Sequence, residues 1–177
     1  MTLQLKMKLS DLQEEEANLI TKKNQLHNPQ KLEIIESIRG EIISFLTKQG
    51  LAVEYAGKML NGNYKGANYI SVNFNDFTPE APGSDGVFVI NYNDKKYVVS
   101  LLLDRADKSS ANGMVISSSE KERLEKMVRN YEENILPKLR DSSVIPLPGT
   151  YILLVSKERG QPDKYKNVED LLSYIVN

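Results

Sequence analysis

Four carboxylates, Asp85, Asp94, Asp104 and Asp107, crowd the neighbourhood of one predicted β-hairpin. A metal-dependent nuclease of the Asp…(Asp/Glu)-x-Lys type needs a carboxylate pair and a lysine converging on a metal from central strands. Asp104-Arg105-Ala106 lacks the lysine. Asp94-Lys95-Lys96 has one, but at a turn tip, where ligands are poorly fixed. These acids therefore read as solvated turn residues, and a degenerate nuclease fold ranks last among the readings. The chain has no cysteine. That excludes a thiolate metal site, a cysteine nucleophile and a disulfide framework, and it fits a reducing compartment. The one histidine, His27, stands beside Asn28 and reads as a helix-end residue, where its cation would favour the helix dipole. Gly57 to Gly66 is rich in glycine and asparagine but lacks the Gly-Lys-Ser/Thr ending of a phosphate-binding loop. It reads as a surface loop, or as one that lies against a ligand backbone. No catalytic residue, metal site or cofactor is expected.

The aromatic residues offer a different chemistry. Alternation puts Tyr69 on the face shared with Ser71 and Asn73, while Phe88 and Tyr92 share one side of a second strand with Ile90. Asp104 ends the following strand. Rings beside one carboxylate can hold a planar, partly polar ligand by stacking and a hydrogen bond, and an extruded nucleobase is such a ligand. The alternative is that these rings cover the core beneath the helices.

The elements that must position these residues follow from periodicity. Residues 10–26 form an apolar stripe at helical spacing, with Glu16 and Lys23 in its seam. Asn28-Pro29 reads as the N-cap and first position of a second helix, with Leu32, Ile35, Ile38, Ile42, Phe45 and Leu46 inward and Gly50 as its stop. The period then changes to two: a short strand from Leu51 to Tyr55, another from Asn68 to Phe74, and a hairpin of Val87–Tyr92 and Tyr97–Leu103 about the turn Asn93-Asp-Lys-Lys96. Ser117-x-x-Glu120 and Ser119-x-x-Glu122 both fit a capping box opening a helix to about Leu139. Tyr151 to Val155 reads as a buried strand, and a closing helix starts at Asn167. The predicted class is α+β: an N-terminal helical hairpin, then a mainly antiparallel sheet with two further helices. Residues 1–50 are expected to pack on an α+β recognition domain of residues 51–177 as one structural unit.

Length and composition suit one folded domain: 177 residues, 40% hydrophobic and 27% charged. No apolar run approaches the roughly 20 residues that span a bilayer, and Met1 to Ser10 is no signal peptide. A cytoplasmic address without membrane contact is the expectation. The net charge of −1 argues against a basic nucleic-acid binder overall, yet 23 Lys and Arg residues leave room for a local basic face.

Two stretches carry a family resemblance. Gly62-Asn-Tyr-Lys-Gly-Ala-Asn-Tyr-Ile-Ser-Val72 resembles the Gly-Asn-aromatic…Pro-Trp-Ile-Ala segment of McrB-type N-terminal domains. Those domains precede the GTPase motor in modification-dependent restriction systems. Gly86-Val-Phe-Val-Ile-Asn-Tyr92 with Tyr97-Val-Val-Ser-Leu101 is similar to that family's hairpin. The flanks agree, with a helix pair bearing Asn28-Pro29 before and a helix through Asp170-Leu-Leu-Ser-Tyr174 after. Three features depart from the pattern: Tyr69 replaces the family's Trp, Asn68 its Pro, and Leu102-Leu103-Asp104 the Gln-Gly pair after the return strand.

The resemblance implies recognition of duplex DNA that carries a modified cytosine, with the base flipped into an aromatic pocket. By matching position, Tyr69, Phe88 and Tyr92 would line that pocket, with Asp104 at its polar edge and Tyr64 at its entry. Lys58, Lys65, Lys95, Lys96, Arg105 and Lys108 are the candidate phosphate contacts. The chain lacks a Walker motif, so the GTPase motor and the nuclease subunit would be partners on other regions or chains. A reading from a different class is a protein-interaction or regulatory module that docks through the helical hairpin.

Overall fold

The computed structural model describes residues 1–79, 85–103 and 119–177. The chain divides into two compact units, residues 28–104 with 147–177 and residues 1–27 with 105–146.

The sheet lies in the first of these units. Its strands are β1 (Ala52–Ala56), β2 (Met59–Tyr64), β3 (Ala67–Asn73), β4 (Val87–Tyr92), β5 (Lys95–Leu103), β6 (Tyr151–Val155) and β7 (Asp163–Tyr165). They pair in sequence order, each antiparallel to the next. Ile70, Val72, Phe88, Ile90, Val99, Leu101 and Leu153 alternate onto one face and are buried at 0–2% exposure. That face packs with Ile35, Ile38, Ile42 and Leu46 of helix α1 (Thr2–Lys48) and with Val168, Leu171, Leu172 and Ile175 of the closing helix. The α+β class expected from the sequence is the class observed.

α1 departs from expectation. One helix runs through the position where a hairpin turn was predicted, with Pro29 inside it. Proline deprives the Gln25 carbonyl of its helical donor, yet the helix continues, with His27 and Lys31 buried on either side of Pro29 and the apolar positions resuming at Ile35. Neighbouring side chains are also tied down. In one unit the His27 Nε2–H donates to the Ile145 carbonyl at 2.8 Å, with the imidazole buried. In the other, Gln30 Oε1 accepts from the Leu147 amide at 2.9 Å. His27 is therefore an interior helical residue, not a helix end. α1 stops as predicted at Gly50, whose φ of +87° suits the left-handed cap. The Gly50 amide bonds to Thr47 O, and the Leu51 amide to Leu46 O.

The second departure is β2. The predicted loop from Gly57 to Gly66 is mostly strand. Leu60 is fully buried, and Asn61 and Asn63 face the other way. Gly62 is inward too, and a Cβ there would lie 2.6 Å from Ile70 Cγ2, so glycine permits the pairing. β7 was not anticipated either.

A compact aromatic group closes one end of the core. The Phe77 ring meets Phe88 edge-on at 5.0 Å, and Phe74 lies 6.0 Å from Phe88. The Arg39 guanidinium sits 5.3 Å from the Phe74 ring centroid and donates to Phe77 O at 3.2 Å. Gly86 has φ +138°, and a Cβ there would approach Phe77 Cδ2 to 2.8 Å. Beside it Asp85 is buried, accepting from the Leu103 amide at 3.1 Å and lying 3.7 Å from Lys31 Nζ.

In the other unit, helix α2 (Glu120–Asn130) leads through a π-helical turn, Tyr131–Ile135, into α3 (Leu136–Ser142). Ser119 caps α2, accepting from the Glu122 amide as one of the predicted boxes requires, while Ser117 lies outside the described residues. The wider turn precedes Pro137, which cannot donate to the Glu133 carbonyl. Leu9, Leu124 and Val128 form this unit's small core with Leu5, Leu12, Met127 and Tyr131. Glu16 accepts a hydrogen bond from the Tyr131 hydroxyl at 2.8 Å, which explains a carboxylate in the predicted seam. Desolvation and that bond hold the phenol above its ordinary range. Back in the sheet unit, the closing helix is α4 (Val168–Val176), capped by Asn167, which accepts from the Asp170 amide at 2.7 Å. No helix among the described residues is long and apolar enough to cross a membrane.

Candidate functional site

Because the strands alternate in direction, three connections meet at the same end of the sheet. They are the β2–β3 turn at Lys65-Gly66, the β4–β5 turn at Asn93-Asp94, and the β6–β7 connection at residues 156–162. Lys65, Asn93 and Asp94 all adopt positive φ, the geometry that tight two-residue hairpin turns require.

At this end lies an open depression of about 540 Å3. Asn68, Tyr69 and Ser71 of β3 form one wall, Asn91 and Tyr92 of β4 the other, and Asn93, Asp94, Lys95 and Lys96 the rim. Tyr69 is 52% exposed and Tyr64 48%, and their rings meet edge-on at 6.4 Å. Lys65 Nζ stands 5.3 Å from the Tyr64 ring centroid. The amides are partly oriented: Asn68 Nδ2 donates to Asn61 Oδ1 at 2.9 Å, and Asn91 Nδ2 to Ser71 Oγ at 3.5 Å. The surface thus combines aromatic faces, oriented amides, two lysines and the Asp94 carboxylate. Chemically it can stack planar rings, bond polar edges and neutralise anions.

The structure brings together Tyr69, Tyr64, Tyr92, Lys65, Lys95 and Lys96 from the predicted set. Tyr92 enters from the core side, its hydroxyl 3.5 Å from the Val176 carbonyl.

Phe88 must be corrected. Ile70 pairs with Tyr92 and Val72 with Ile90, so Tyr69 and Phe88 point to opposite faces of the sheet. Phe88 has no exposed surface and packs in the core. Lys58 also lies elsewhere, in the β1–β2 turn at the opposite end, where its carbonyl accepts from the Phe74 amide. Asp104, Arg105 and Lys108 fall outside the described residues. Asn91 and Asn68 were not foreseen. Alternation from Tyr69 to Asn73 marked Ser71, but pairing across strands, which adds Asn91, is not written in a single segment.

Among the described residues no group of three or more His, Asp or Glu side chains is placed to hold a metal ion. No protein-family model matches this chain, and neither a curated protein nor a solved structure matches it.

Proposed function

We propose that this chain is a non-catalytic DNA-recognition domain of a modification-dependent restriction system. It binds duplex DNA bearing a modified cytosine at the turn end of its sheet, and the GTPase motor and nuclease lie on other regions or chains. One observation carries the reading: exposed Tyr69 and the Lys95–Lys96 pair border the same depression. An extruded base would stack on Tyr69 and bond its edge to the Asn68, Ser71 and Asn91 side chains, while the lysines take flanking phosphates. Unstacking costs a few kcal/mol, and stacking with edge bonds must recover it. A buried 5-methyl group adds roughly 0.8 kcal/mol, so discrimination must also come from shape.

Mobility shifts with modified and unmodified duplexes at fixed salt test this. Each phosphate contact contributes about −0.9 to the slope of log affinity on log salt. Lys95→Ala and Lys96→Ala together should weaken all duplexes alike and reduce that slope by roughly 2. Failure of every modified duplex to shift defeats the proposal.

A second reading has one observation behind it. Leu3 and Met7, one helical turn apart on α1, are 69% and 60% exposed, as a partner-docking helix would leave them. Loss of partner binding on deleting residues 1–27, with DNA irrelevant, would favour it.

A further inference from the structure

We infer that the preferred ligand of the turn end is an unpaired DNA strand several nucleotides long, lying across the strand ends, rather than one base lifted from an otherwise intact duplex. The inference keeps DNA as the ligand and the turn end as its site, which it takes from the reading above, and replaces the flipped base of a duplex by an unpaired strand; binding of the single strand without either duplex would uphold it and defeat the duplex reading.

Its first support is the shape of the site. An enzyme that reads one flipped base encloses it in a snug pocket between side chains. Here the depression is open, and Phe88, the ring that would have closed it, points to the opposite face. Two half-exposed rings, Tyr64 and Tyr69, stand side by side instead. Adjacent exposed rings beside a basic track are how single strands are held, since every base has a face to stack.

The second support is spacing. The three connections at this end are each separated by two strand intervals, or about 10 Å at the ordinary inter-strand distance of about 4.8 Å. Each carries a cation: Lys65 in the first, Lys95 and Lys96 beside Asp94 at the second, and Arg159 in the third. In that third connection Lys157 is held by Asp163 at 2.7 Å, so Arg159, beside Glu158, is the cation it presents. The row spans about 20 Å. A flexible strand can follow such a row while its bases turn toward Tyr64, Tyr69 and the amides of β3 and β4. A stiff duplex cannot offer unstacked bases along that length without melting.

Fluorescence anisotropy decides the matter with three probes of one sequence: a single strand of about 12 nucleotides, its duplex, and its 5-methylcytosine duplex, at about 150 mM salt. The single strand should bind at least about tenfold more tightly than either duplex. Tyr69→Ala should remove most of that preference, Tyr69→Phe should restore it, and Arg159→Ala should weaken the single strand more than the duplexes. Lys58→Ala, at the far end of the sheet, should change nothing. If the methylated duplex binds as well as the single strand or better, the DNA reading stands and this inference falls. If none of the three binds, both fall. A single-strand preference that Tyr69→Ala and Arg159→Ala leave intact overturns the inference by placing the strand elsewhere.

Discussion

Truncating Phe88 to alanine should destabilise the sheet unit by about 3–5 kcal/mol, the usual cost of removing a buried phenyl ring. In a chain of this length that is a fall in melting temperature of roughly 6–20 °C. The ring has no exposed surface and touches both Phe74 and Phe77. Phe77 in turn fills the space that only a glycine at position 86 leaves open, and Arg39 lies against both of these neighbours. A cavity at Phe88 therefore loosens the whole aromatic end of the core. Urea unfolding of the variant checks this. The companion Phe88→Leu keeps an apolar side chain but removes three carbons, so it should cost less than the alanine variant. It should leave DNA binding unchanged. Loss of binding in a stable Phe88→Leu protein would return Phe88 to the ligand site, against its placement in the core.

Tyr69→Ala should have the opposite profile. With 52% of its surface exposed, Tyr69 contributes little to the core, and its loss should move stability by no more than about 0.5 kcal/mol. Binding should suffer instead, because base–aromatic stacking is worth about 1–3 kcal/mol per base, or roughly 5- to 150-fold in affinity. Isothermal titration with one oligonucleotide, alongside urea unfolding of the same preparations, separates the two effects. A variant that loses stability but not affinity would mark Tyr69 as structural.

These two tyrosine and phenylalanine positions show where sequence reading succeeds and stops. Alternation alone put Ile70, Val72 and Phe74 on one face of β3 and Tyr69 on the other, and the core has that arrangement. The hairpin of β4 and β5, the buried β6 and the Asn167 cap of α4 were equally legible, because each has a local chemical signature. β4 is apolar on both sides, however, so its own residues do not say which side the helices cover. The cross-strand register of Ile70 with Tyr92 settles it, and register is a property of two segments. β2 was hidden for another reason. Glycine and asparagine are depleted in strands, and here Gly62 is needed to make room for Ile70 while Asn61 holds Asn68 on the outer face. Asn28-Pro29, read as the start of a second helix, instead lies inside α1, where the side chains on either side of Pro29 are held by the Ile145 carbonyl and the Leu147 amide, contacts distant in sequence.

The DNA binding proposed above has a definite location, the turn end of the sheet around Tyr69. Titrating a short oligonucleotide into isotopically labelled protein and following the backbone amides tests it most directly. The largest shifts should fall on Tyr69, Ser71, Asn91, Lys95 and Lys96, with Lys58 and Glu120–Asn130 unmoved. Shifts confined to the Lys58 end of the sheet or to the helices of residues 1–27 and 120–142, with Tyr69 and Lys95 silent, would contradict it.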